Sequence, residues 1–369
     1  MKAWLSLAML VSVVMTSCVS GKGAMESVHG DTLTKHAQLL TLVDAGEYRV
    51  ADILNPWDTT EVLQRLVIYP AGTELPADAP QGVRLETPLR NTVVMSSVHL
   101  GAIDELGAIK AVKGVADASY INMPEIVARL SDGKVADVGS SMAPTIEKIV
   151  MVNPDAVLYT PYEGRTSLEL KGTNGQEIAM ADWMEGTPLG RAEWMLLIGQ
   201  LYGEPVKARS IYDNVVKEYE NISKEASDVD YRPLVLTEKS SDGIWYVPGG
   251  ASYMARMIED AGGLYLWRDD TASGSVPLSV EQVLDRGSKA DVWLVKTYGY
   301  DLSRDNLASE NPLYKEIKAF SDDNVYGVDT SSSMLFEEFP FHPERLLLDY
   351  YLMFHPEKPG ELRYYRHAR

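Results

Sequence analysis

The chain of 369 residues carries 45% hydrophobic and 24% charged side chains, a globular balance that excludes wholesale disorder and provides for more than one core. Its formal charge of −19, with no basic stripe to interrupt it, excludes a nucleic-acid partner. A single cysteine excludes disulfides within the chain.

The first stretch reads as a targeting segment. Met1-Lys2 is a short basic start, and Ala3 to Met15 is an apolar run too short to span a membrane stably. It ends in Met15-Thr-Ser-Cys18, which resembles the lipobox of a bacterial lipoprotein. That resemblance implies removal of residues 1–17 and a lipid on Cys18; a plain signal peptide with an incidental cysteine is the alternative. No later run approaches the ~18 apolar residues of a membrane helix. The mature chain is therefore expected to face the periplasm, tethered to a membrane rather than embedded in it. Residues 18–46 are expected to form the tether and a short helix near His36 to Val43.

Between 47 and 89 the pattern is β. The runs Tyr48 to Leu54, Arg65 to Tyr69 and Val83 to Glu86 are separated by turns at Pro70-Ala-Gly72 and Pro80-Gln-Gly82. A small antiparallel appendage is expected. From Arg90 short apolar strands alternate with helices, predicting parallel βα units over 90–203. Glu204 to Ser227 then reads as one long helix opened by Pro205 at its first turn. Ala208, Ile211, Tyr212, Val215, Tyr219, Ile222 and Ala226 mark its apolar face at steps of three and four. At 1.5 Å per residue it would run roughly 35 Å, enough to cross a small domain. The βα alternation resumes over 228–355, and 356–369 is left as a tail. The fold class is α/β: two parallel-sheet lobes joined by a single long helix, with an N-terminal β appendage.

One unit appears on both sides of that helix. Pro144-Thr-Ile-Glu147 leads through Asp155 to an apolar strand and the loop Tyr162-Glu-Gly164; Leu278-Ser-Val-Glu281 leads through Asp291 to a strand and Tyr298-Gly299. The recurrence supports two related lobes. A first-turn glutamate is favoured by the helix dipole alone, by about 0.3–1 kcal/mol, and that accounts for either residue without a function. It accounts less well for both copies keeping it. Loops after the carboxyl ends of parallel strands are where open α/β sheets bind ligands. His99, Ser141-Met142, Tyr162, Tyr298 and the Ser331 to Phe341 segment would then share a cleft. Aromatic and methionine side chains there suit a large, partly apolar ligand, although each ring taken alone is as readily core.

The chain resembles the substrate-binding proteins of ABC importers that hold two rigid lobes on one long helix. The resemblance covers roughly Arg90 to Phe354. It rests on the lipobox at Cys18, Ser96-Ser-Val-His99 through Leu106-Gly107, and Asn153-Pro-Asp-Ala156 behind Glu147. Gly190-Arg-Ala-Glu-Trp194, Trp245-Tyr-Val-Pro-Gly-Gly250 and Asp260-Ala-Gly-Gly263 complete it. It implies capture of an iron–siderophore, haem or cobalamin, without a cofactor of the protein's own, and delivery to a membrane permease by a monomer. It also implies that Glu147 and Glu281 dock on permease arginines. The appendage lies outside the shared pattern.

Candidate ligand residues are His99, Met142, Tyr162, Arg165, Trp245, Tyr246, Tyr298 and Phe336. Tyr162, Trp245, Tyr246, Tyr298 and Phe336 suit cobalamin or an aromatic siderophore, His99 with a tyrosine suits haem, and Arg165 suits an anionic chelate. The alternative is a periplasmic hydrolase or other lipoprotein enzyme. No GxSxG elbow is present, and the six histidines form neither HExxH nor a close pair, which also argues against a bare-metal site.

Overall fold

The computed structural model describes residues 28–369. The apolar run of the targeting segment and Cys18 lie outside the described residues.

A five-stranded sheet comes first, ordered Asp31–Thr32, Leu40–Asp44, Arg49–Asn55, Asp58–Pro70, Val83–Thr87. The first four strands pair antiparallel and the last pair is parallel. Two expectations change here. The stretch expected to be helical near His36–Val43 contains the strand Leu40–Asp44: Leu40 and Leu42 are buried while Thr41 is exposed, a period of two. So short an apolar run fits either structure by periodicity, and pairing with Arg49–Asn55 decides it. The appendage is also mixed rather than wholly antiparallel, because residues 71–82 cross over instead of closing a hairpin.

The appendage does not stand apart. Leu40, Leu42, Ile53, Leu66 and Leu85 belong to the same apolar core as Leu100, Ile103 and Trp194 of the first lobe. Each such side chain contributes about 1.5–3 kcal/mol when fully buried. Two buried carboxylates add a polar seam. Glu193 accepts from the backbone N–H groups of Lys35, His36 and Ala37 at 2.7–2.8 Å. Glu185 accepts from those of Gln38 and Leu39 at 2.9 and 3.0 Å.

The first lobe is built on a parallel sheet ordered Gln176–Ala179, Ala156–Tyr159, Thr92–Val94, Val112–Val115, Ala136–Asp137. The second has Leu264–Tyr265, Leu234–Thr237, Val292–Thr297 and Val325–Asp329 in parallel, edged by antiparallel Arg366–His367. The tail thus supplies an edge strand. Asp349 pins it by accepting from the N–H groups of Arg363, Tyr364 and Tyr365 at 2.7–3.0 Å. A separate antiparallel sheet, Ser240–Ser241, Ile244–Pro248 and Ser275–Ser279, lies beside the second lobe's main sheet in sequence.

The helix Pro205–Ser227 joins the two. Its buried stripe is divided: Ala208, Tyr212 and Val215 enter the first lobe's core, Tyr219 and Ala226 the second's. Polar tips anchor both ends. The Tyr212 hydroxyl donates to the Leu189 carbonyl at 3.2 Å, and that of Tyr219 to Asp260 at 2.8 Å.

Candidate functional site

In each lobe the strands deliver their carboxyl ends to one side. From the first lobe, Thr92–Val94 runs into Met95-Ser96, Val112–Val115 into Ala116-Asp117, Ala156–Tyr159 into Thr160, and Gln176–Ala179 toward Asp182-Trp183. These ends enclose two adjoining hollows of about 250 Å³ each, which share Ser96, Thr160 and Tyr162. From the second lobe, Leu234–Thr237 leads to Glu238, Val292–Thr297 to Tyr298, and Val325–Asp329 to the serines 331–333. A pocket of about 260 Å³ opens there among Trp183, Tyr253, Phe336, Phe339 and Lys296. Trp183, from the first lobe, borders hollows on both sides, so the two walls of the cleft meet at its ring.

Direct contacts fix how the lobes face each other. The Asn122 amide donates to the carbonyls of Thr330 and Ser333 at 3.0 and 3.2 Å. The rings of Tyr120 and Tyr298 lie 5.7 Å apart, and the Arg191 guanidinium sits 4.8 Å from the Tyr253 ring centre. The helix Val98–Glu105 approaches Leu335–Glu338 so closely that a Cβ at Gly101 would stand 2.0 Å from the Glu337 carbonyl oxygen. Only glycine fits that crossing. His342 bridges the lobes as well, meeting Glu105 at 2.5 Å.

A buried polar triad backs the first-lobe side. Asp182 meets the His99 ring at 2.9 Å and accepts from Arg191 Nε at 3.1 Å. Burial works against the Asp182 charge, but His99 and Arg191 outweigh it and hold the carboxyl below its ordinary range. The other ring nitrogen of His99, Nδ1, is buried without a partner among the described residues, although the ring borders the hollow. On the opposite wall burial opposes the Lys296 charge, and Glu238, hydrogen-bonded to the ammonium, more than restores it. Asp329 ties the Tyr298-Gly299 loop, accepting from the N–H groups of Gly299 and Ser331 at 2.8 and 2.9 Å.

The candidate residues divide. His99 and Tyr162 line the first-lobe hollows, and Tyr162 packs against Trp183 with ring centres 5.9 Å apart. Met142 is exposed, and its carbonyl accepts from the Arg165 guanidinium, so these two share one loop cluster. Tyr298 stands at the lobe contact and Phe336 lines the second-lobe pocket. Trp245 needs a correction. It is 0% exposed, packed between Trp293 and Tyr314, and its Nε1 donates to the Thr237 carbonyl at 2.9 Å. Side chains alternate along Ile244–Pro248, so its neighbour Tyr246 points the other way and is 49% exposed. Tyr246 borders none of the hollows described above.

Glu147 and Glu281 are exposed in the first turns of Ile146–Val152 and Val280–Gly287. Each helix feeds the following strand and therefore runs back against it. This sets both glutamates on the side where the strand carboxyl ends emerge. Several cleft residues are not among the ligand candidates of the sequence: Tyr120, Asn122, Asp182, Trp183, Arg191 and Lys296.

The family model "Periplasmic binding protein" matches residues 93–331. An uncharacterized lipoprotein of Methanocaldococcus jannaschii is 25% identical over 389 aligned positions, covering 95% of this chain and 92% of that protein. A periplasmic haem-binding protein of Pseudomonas aeruginosa shares the fold at TM-score 0.59 and 18% identity, covering 76% of this chain and 98% of its own. A structure from an ABC-type Fe3+-hydroxamate transport system of Saccharomonospora viridis does so at 0.56 and 18%, covering 73% and 95%.

Proposed function

The chain belongs to the periplasmic binding protein family, and we propose that it is the extracytoplasmic substrate-binding component of an ABC importer. Its cargo in this reading is an iron chelate, haem or cobalamin, held between the lobes and handed to the membrane permease. The observation that carries the reading is the cleft. Strand carboxyl ends of two sheets converge on it, and Tyr162, Trp183, Tyr298 and Phe336 present aromatic surface beside the buried Asp182 triad. The names of the Pseudomonas and Saccharomonospora neighbours support the iron and haem part of the range.

Cys18 carries a lipid in this account, which the lipoprotein name of the Methanocaldococcus relative supports. No helix among the described residues is long and apolar enough to cross a membrane. Glu147 and Glu281 then meet the permease, one from each lobe. Titration calorimetry with a ferric hydroxamate, a ferric catecholate, haemin and cobalamin tests capture; no heat with any of them would sink the proposal. The docking part is tested separately. Glu147→Ala with Glu281→Ala should leave ligand affinity unchanged and lower uptake, and undiminished uptake would remove that assignment.

A further inference from the structure

The second-lobe pocket sets a lysine–glutamate pair among mostly apolar walls. Its walls are apolar and aromatic, from Trp183, Tyr253, Met254, Phe336 and Phe339, yet it is also lined by the ion pair of Lys296 and Glu238. Its volume of about 260 Å³ exceeds the cavity of about 150 Å³ that suffices for benzene, so one substituted ring fits and a whole chelate does not. The ammonium has three N–H groups, and Glu238 is its one hydrogen-bonding partner among the described residues. Glu238 reaches this place on a left-handed backbone, φ 65°, which is costly for a residue with a Cβ. Its N–H donates to the Leu294 carbonyl at 2.7 Å and its own carbonyl accepts from Trp293 Nε1 at 2.7 Å, so the conformation is held from both sides.

An ammonium and a carboxylate side by side offer one donor set and one acceptor set, with no net charge. A carboxylate guest would be drawn by Lys296 and repelled by Glu238, and a plain hydrocarbon ring would bury the pair without satisfying it. A phenolic hydroxyl does both jobs: its O–H donates to Glu238 and its lone pair accepts from Lys296. We infer that this pocket is a subsite for a neutral, hydroxyl-bearing aromatic ring, a pendant arm of the molecule held in the cleft. The inference rests on the proposed function for the arm's origin, while the pocket's preference for such a ring can be measured by itself.

Gly274 lines the pocket, and a Cβ there would meet nothing within 4 Å, so a side chain added at this position starts in open space beside the pocket. The test uses the whole mature chain with phenol, fluorobenzene and benzoate as probes, followed by saturation-transfer NMR and calorimetry. Phenol should bind about tenfold more tightly than either of the others, the worth of one hydrogen bond to a charged group. Gly274→Trp should abolish phenol binding with the thermal midpoint unchanged. Lys296→Met with Glu238→Met should remove the preference for phenol over fluorobenzene while keeping ring binding, which serves equally if the tryptophan variant fails to fold. Equal binding of phenol and fluorobenzene by the wild type, or phenol binding that Gly274→Trp leaves intact, would overturn the subsite. The titrations with ferric hydroxamate, ferric catecholate, haemin and cobalamin separate the two claims: the proposed function stands or falls on that whole set, whatever phenol does.

Discussion

Tyr120 and Tyr298 meet ring to ring across the cleft, their centres 5.7 Å apart and each side chain largely exposed. One comes from the loop after the strand Val112–Val115, the other from the loop after Val292–Thr297. The lobes therefore touch at their ligand-facing loops as well as through the long helix. Such a pair contributes about 0.5–1.5 kcal/mol beyond its area. A double-mutant cycle of Tyr120→Ala and Tyr298→Ala, read by urea unfolding of the whole chain, should recover a coupling of that size. A coupling of zero would reduce the contact to mere proximity.

Glu193 should prove the main polar fastener of the appendage. Its buried carboxylate takes three backbone N–H groups, and Glu193→Ala would strand all three. We expect a loss of roughly 3–5 kcal/mol. Hydrogen exchange should quicken through Lys35–Asp44 while the second lobe's strands stay protected. Unchanged protection of Leu40–Asp44 would show that apolar packing alone holds the sheet.

The His342 bridge gives a pH dependence of definite sign. Burial pulls its imidazole pKa down, but hydrogen bonds and charge from Glu105 and Glu344 outweigh it and raise the value from 6.5 to about 9. A folded pKa above the unfolded one stabilises fully below the unfolded value and fades as pH rises through the folded value. The stability advantage of wild type over His342→Gln should therefore be full at about pH 6, shrink through pH 8, and be largely gone by about pH 10. A gap that widens with pH would contradict this assignment.

The helix Pro205–Ser227 was legible from its period, because its apolar stripe is long and its polar faces are clean. The parallel sheets were legible from alternation, and the repeat around Glu147 and Glu281 signalled two lobes. What escaped depends on partners distant in sequence. Trp245 sits in a motif shared with binding proteins and looks like an exposed aromatic platform, yet its place in the alternation of Ile244–Pro248 turns it into the core. Asp182 carries no local signature, and Arg191, though inside a shared motif, shows its role only when His99, 83 residues before Asp182, folds against the same carboxylate. Leu40–Asp44 is too short an apolar run for periodicity to separate strand from helix.

If the long helix sets the distance between lobes, softening it should loosen them. Val215→Gly with Val216→Gly places two glycines mid-helix, each costing about 1 kcal/mol relative to alanine, and empties a buried position at 215. Distance distributions between spin labels at Met151 and Leu313, both exposed, should broaden. An unchanged distribution would mean that the direct lobe contacts, not the helix, hold the geometry.

Capture in the cleft can be read from a single fluorescence titration. Tryptophan emission is followed as the ferric hydroxamate, ferric catecholate, haemin and cobalamin are added in turn to the wild type and to a Tyr162→Ala, Trp183→Ala variant of equal thermal stability. The expected result is saturable one-to-one binding of at least one ligand by the wild type and at least about tenfold weaker binding by the variant, because each ring contributes aromatic contact on the order of 1 kcal/mol. Saturable binding that the variant retains at full strength would place capture outside the cleft and contradict the account.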